Sequence, residues 1–261
     1  FYAEKYGRES YAGCSVYEDF RELLQKSDID AVSISTPEHW HGIQAVYAAQ
    51  NGKDIFLQKP FTYSITEGRS VCDAVDRFDR VVQVGSQQRS DARFRFACEL
   101  VRNGRIGELK RIEVGFGQDP AGETHPVMPV PDTLNYDMWL GPAPEKPYTE
   151  ARVHPRQGYD RPGWMRISDY SLGMITNWGA HHMDIGHWAM GIETGGPLSV
   201  EGRAEFPADG LWDVHLAFSL DYHYENNVIL NCANNERNRQ GVYFEGSEGW
   251  VYVRRGFIDA S

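Results

Sequence analysis

The strongest constraint on this chain is an alternation in its first third. Short apolar runs at 31–35, 54–57 and 80–84 are separated by stretches of helical periodicity at 39–51 and 65–78. Strand, helix, strand, helix, strand at this spacing implies parallel pairing through right-handed crossovers. It describes half of a doubly wound α/β sheet. A helix is also expected at 15–25, with Phe20, Leu23 and Leu24 on one side.

After residue 90 the pattern changes to α+β. A helix is expected at 91–103 and an alternating strand at 108–117. The Pro/Gly-rich stretch 118–173 is too long for a plain connector, so it should be functional or hold short helices. A helix at 175–190 follows, then strands at 198–206, 212–222, 227–234, 241–245 and 250–253. Long alternating strands after one helix suggest a large, open, mostly antiparallel sheet with a helical face. The expected domains are 1–89 and 90–261.

A chain of 261 residues can bury one large core or two modest ones. Its net charge of −11 repels phosphate backbones and anionic lipids, which argues against nucleic acid and membrane partners. No apolar run reaches the roughly 20 residues that span a bilayer. Cys14, Cys72, Cys98 and Cys232 are far apart and form no C-x-x-C, so free thiols are expected. They fit a cytoplasmic setting, with the periplasm left open. Residues 1–7 read as the end of a helix, and the chain stops soon after the last strand, so truncation at both ends is expected.

No G-x-G-x-x-G opens a strand–helix unit. Chemistry is therefore sought at the carboxyl ends of the parallel strands, where open α/β sheets bind ligands. Three loops qualify: Ser35-Thr36-Pro37 with His39 and His41, Gln58-Lys59-Pro60, and the loop holding Gln87. Lys59, between a buried strand and a proline, can donate or relay a proton if partly desolvated. The plain alternative is a surface lysine at a strand end.

The second constellation runs from Thr176 to His187. Asn177 and His181 are four apart, His181 and Asp184 three apart, so all three should share a helical face. An imidazole beside polar groups suits a base near neutral pH. His182 points about 100° away and is kept as a substrate-side candidate. A metal held by His181, Asp184 and His187 lacks the spacing of a zinc helix, so no metal is expected. Trp164, Arg166, Tyr159 and Trp178 lie in or beside the long segment and suit sugar stacking and hydrogen bonding. Core packing explains Trp164 and Trp178 about as well.

Taken together, Asp28 to Pro37, Gln58-Lys59-Pro60 and Gly173 to Asp184 resemble three elements of the glucose–fructose oxidoreductase/inositol dehydrogenase (Gfo/Idh/MocA) family. They match a Rossmann strand and its loop, the E-K-P motif, and the second-domain D-x-x-x-H-x-x-D element. The resemblance covers nearly the whole chain. It implies NAD or NADP as cofactor and a sugar or polyol substrate. It gives Lys59 contact with substrate and cofactor, makes His181 the proton acceptor, and has Asp184 hold a sugar hydroxyl. The strand-end residues Ser35 to Pro37, His39, His41, Gln58 to Pro60 and Gln87 would line the cofactor. Asn177 and Gln58 stand where the motifs carry acids, and an amide cannot ionise. The resemblance also implies a homodimer or homotetramer through the antiparallel sheet, favoured by apolar residues on both sides of 198–222. The runner-up activity is glycoside cleavage through transient sugar oxidation. A non-catalytic remnant that binds carbohydrate is a third reading, and a metal-dependent lyase a fourth.

Overall fold

The computed structural model describes residues 14–122, 124–153, 163–192 and 194–261. The helix end expected at 1–7, and Tyr159, lie outside them.

A parallel sheet in the order β1-β2-β3 comes first, from β1 (Ala31–Ile34), β2 (Asp54–Leu57) and β3 (Val82–Val84). Among the described residues a short helix, α1 (Phe20–Leu24), precedes it. The expected helix at 15–25 is cut to this because the Asp19 carboxylate caps it, accepting from the Arg21 amide at 2.9 Å. The crossovers are α2 (His41–Gln50) and α3 (Ile65–Phe78). A 3₁₀ turn, Glu38–Trp40, leads into α2. At α3 the Ser64 side chain accepts from Glu67 N, and the Glu67 carboxylate accepts from Ser64 N. Leu57, Val71, Ala45, Ala48 and Ala49 are fully buried between sheet and helices. Each buried Leu or Val contributes roughly 1.5–3 kcal/mol.

Next come α4 (Ala92–Arg102) and β4 (Leu109–Phe116), then the long segment. That segment contains α5 (Tyr136–Leu140), α6 (Glu150–Val153) and a 3₁₀ turn, Gly163–Arg166, as expected for a connector of its length. Helix α7 (Ala180–Met190) follows a π turn at Ile175–Gly179. The remaining strands are β5 (Ser199–Ala204), β6 (Phe218–His223), β7 (Ile229–Asn234), β8 (Gly241–Gly246), β9 (Trp250–Arg254) and β10 (Phe257–Ala260).

The second sheet runs β10-β9-β8-β4-β7-β6-β5. It is antiparallel except where β4 pairs with β7. Helices α4 and α7 cover one face, burying Ile112, Val114, Phe116, Leu230, Phe244 and Val251. Close approach of the helical layer needs small residues. A Cβ on Gly179 would stand 2.9 Å from the Phe116 ring, and one on Gly186 2.9 Å from Leu230.

Three expectations need correction. The strand expected at 212–222 begins only at Phe218. Residues before it are held elsewhere: Trp212 packs on the Leu140–Ile167–Tyr170 cluster, and the Asp213 carboxylate accepts from Ser168. The chain also makes a further strand, β10, after the last one expected. Lastly, 198–222 is not apolar on both sides. Ala204, Phe218, Leu220 and Tyr222 pack toward the core. The alternate positions are polar: Ser199, Glu201, Arg203, Ser219, Asp221 and His223.

Candidate functional site

The three strand-end loops are bound to one another. The buried His41 ring sets Nδ1 2.8 Å from the Pro60 carbonyl and Nε2 3.0 Å from the Thr36 carbonyl, joining the first two loops. Burial is the main cause that lowers its pKa, so the neutral ring donates to one carbonyl at a time. The Lys59–Pro60 peptide above it is cis. The third loop presses on the second, since a Cβ on Gly85 would meet the Gln58 side chain at 2.9 Å.

From this platform Lys59 reaches the other domain. Its Nζ donates to the Asn177 carbonyl across 3.3 Å, bridging 118 residues of sequence. The backbone oxygen is exposed to it by the π turn, whose i→i+5 bonds widen the helix. The Asn177 amide points to the Met165 sulfur at 3.8 Å.

The Gln87 amide nitrogen lies 3.4 Å from His181 Nε2. An amide N–H only donates, so Nε2 carries the lone pair and Nδ1 the proton. Nδ1 is buried without a hydrogen-bond partner among the described residues. Burial, then the charges of Lys59 and Arg255, press the His181 pKa down to about 3. The ring is therefore neutral near pH 7 and able to accept a proton.

Asp184 does not extend an open carboxylate. Arg89 grips it with two bonds of 2.7 Å each, tying α7 to the loop that carries Gln87. Gly85, Ser86, Gln87 and Asp184 line one cleft at the end of β3.

Other expected residues go elsewhere. His182 faces the sheet, with Nδ1 3.2 Å from the Gly115 carbonyl and its ring near Phe94 and Phe116. At 1% exposure it is a core residue, and the substrate-side expectation for it is corrected. His39 turns away from the strand ends toward the long segment. It meets the Trp139 carbonyl at 3.1 Å and packs on Tyr170, so it joins the domains rather than lining a cofactor cleft. Trp164 packs on the satellite core of Leu140, Ile167 and Tyr170. Arg166 lies 4.4 Å over Trp212 and 3.8 Å from the buried Asp119. Thr36 donates to Gln44, Pro37 leads into the 3₁₀ turn, and Ser35 is exposed.

Sequence reasoning missed Arg255. It sits in the turn between β9 and β10 and stacks 4.3 Å over Trp178. Nothing local marks it, because the hairpin is brought to α7 only by sheet packing.

Three bound loops at the carboxyl ends of parallel strands, one carrying Lys59 and one bringing Gln87 to His181, fit the nicotinamide end of a dinucleotide. No glycine fingerprint for the pyrophosphate stands in the sequence. Among the described residues no group of three metal-binding side chains gathers, and no helix is long and apolar enough to cross a membrane.

Residues 3–86 match the NAD-binding Rossmann-fold model of the Gfo/Idh/MocA oxidoreductases, and residues 116–258 match that family's C-terminal alpha/beta domain. The chain is 38% identical over 91 residues to scyllo-inositol 2-dehydrogenase (NAD(+)) of Bacillus subtilis, covering 35% of this chain and 27% of the relative. It is 30% identical over 97 residues to an alpha-N-acetylgalactosaminidase of Shewanella oneidensis, covering 37% of this chain and 21% of that protein. The fold is shared with the WlbA dehydrogenase of Bordetella pertussis, solved with NADH and UDP-GlcNAcA. That likeness has a TM-score of 0.68 at 18% identity, over 95% of this chain and 62% of the other. The chain thus spans less than two thirds of each of these proteins' lengths, and about a quarter of the two curated relatives. The two matched regions together cover more than half of the chain, and the chain belongs to the Gfo/Idh/MocA oxidoreductase family.

Proposed function

We propose that the protein carrying this chain oxidises a hydroxyl-bearing carbon of a sugar or polyol, with NAD as the favoured cofactor. The observation that carries this is the meeting of Lys59, from the parallel sheet, with Asn177, one helical segment before His181. When bound, the cofactor supplies the hydride acceptor. His181 Nε2, whose lone pair faces the Gln87 amide at 3.4 Å, takes the hydroxyl proton once the substrate hydroxyl displaces that amide. The Lys59 ammonium stabilises negative charge growing on the substrate oxygen. The Arg89–Asp184 bridge positions the Gln87 loop against α7.

We place the domain boundary near 89/90. We also place self-association on the sheet face that α4 and α7 leave open, where Tyr243 stacks on Trp250. The polar rows of β5 and β6 favour the β8–β9 end of that face. The free thiols suit the cytoplasm. The identity to a glycosidase keeps transient sugar oxidation as a second reading, and glycoside cleavage with catalytic NAD would favour it.

The test is nicotinamide reduction followed by absorbance, with inositols and aldoses. His181→Ala should lower kcat by roughly 10²–10⁴-fold, the usual contribution of a positioned proton-transfer group. An unchanged kcat removes His181 from the reaction.

A further inference from the structure

Resting on that reading, we propose that the sugar taken by this site carries an anionic oxygen group, a carboxylate or a phosphate, gripped by Arg255. The β9–β10 turn delivers Arg255 to the helix that holds His181. Its guanidinium lies 4.3 Å above the Trp178 ring, one residue from the carbonyl that Lys59 binds. Packing on the ring orients the guanidinium, and among the described residues no acceptor takes its N–H donors, which suits a bidentate acceptor. Its neighbour Arg254 is committed differently, lying 5.2 Å over Phe257.

No carboxylate among the described residues forms an ion pair with Arg255. Asp184 is gripped by Arg89, and buried Glu38 faces the Thr176 hydroxyl at 3.5 Å. At the two motif positions where the family resemblance places acids, this chain has Asn177 and Gln58. Two cations, Lys59 and Arg255, therefore act on His181, in a protein whose net charge is −11. An anion seated there also has a consequence for the base: it offsets the cations that depress His181 and raises the ring's proton affinity toward the working range.

The experiment compares glucuronate, glucose 6-phosphate and glucose by calorimetric titration of the protein carrying this chain. A charge-assisted pair should make at least one charged sugar bind about tenfold or more tighter than glucose. Which of the two binds tighter separates carboxylate from phosphate. Arg255→Met keeps the packing on Trp178 and should abolish the preference for the charged sugars over glucose. Arg255→Lys should restore part of it. Glucose binding as tightly as both charged sugars overturns the proposal and leaves the oxidoreductase reading standing. A preference that survives Arg255→Met overturns the role of Arg255. Binding of none of the three overturns the proposal together with the reading on which it rests.

Discussion

The two sheets build their halves of the site by different means. In the parallel sheet the working residues follow directly from strand ends, and backbone contacts hold them: His41 against two carbonyls, Gly85 against Gln58. In the mixed sheet no strand end carries the chemistry. Its residues ride on a helix and a distant hairpin, held by side-chain bridges such as Arg89–Asp184 and by the Arg255–Trp178 stack. The first half is therefore positioned by local order along the chain. The second depends on packing between segments far apart in sequence.

The largest test of this contrast is a core truncation in each half. Phe244→Ala, in the mixed sheet, should cost about 3–5 kcal/mol, and Leu57→Ala, in the parallel sheet, about 2–5 kcal/mol. Phe244→Ala should loosen α7 and weaken the Lys59–Asn177 contact, read as a lost thermal transition and lost activity. Leu57→Ala should leave the near-ultraviolet signal of the second sheet in place. One shared transition for both variants would show that the halves do not differ in this way.

Acid provides the next test. Burial lowers His39 and His182 to about 4 and His181 to about 3, against an unfolded value near 6.5. The unfolded chain therefore binds more protons below that value. The stabilisation is fully present above about pH 6.5 and declines as the pH falls toward 4. The slope is at most about 1.4 kcal/mol per pH unit for each ring. Denaturant titrations at pH 7 and pH 5 should differ accordingly, and His182→Gln should flatten the slope. Because His39 joins the domains and His182 lies within one, comparing their variants shows whether acid parts the halves or melts the second.

Smaller effects separate local from long-range order. Ser64→Ala removes one side of the capping box and should cost about 1 kcal/mol, seen as a lower denaturant midpoint, with little change at the site. Asp184→Asn should cost less in stability, about 0–1 kcal/mol, since both partners are partly exposed. It should nevertheless lower turnover, because the bridge sets the Gln87 loop. A stability loss without a turnover loss would reduce the bridge to surface packing.

The sequence by itself determined the parallel half. Alternating strands and crossover helices force the ends of β1, β2 and β3 to one edge, so the sequence could place Lys59 and Gln87 together at that edge. The family resemblance reached His181 through its motif. Helical spacing did not foresee the π turn at Ile175–Gly179 or the contact of the Asn177 amide with the Met165 sulfur. It could not show that Asp184 would be gripped by an arginine 95 residues away. The adjacent His181 and His182 have the same composition and nearly the same burial, yet one faces Gln87 and the other Gly115. Only the packing of α7 on the sheet decided which was which. The same packing delivered Arg255 to Trp178. A hairpin turn carries no periodicity that points to its neighbour, and the energy that seats it comes from the buried strands behind it, Val242, Phe244, Val251 and Val253.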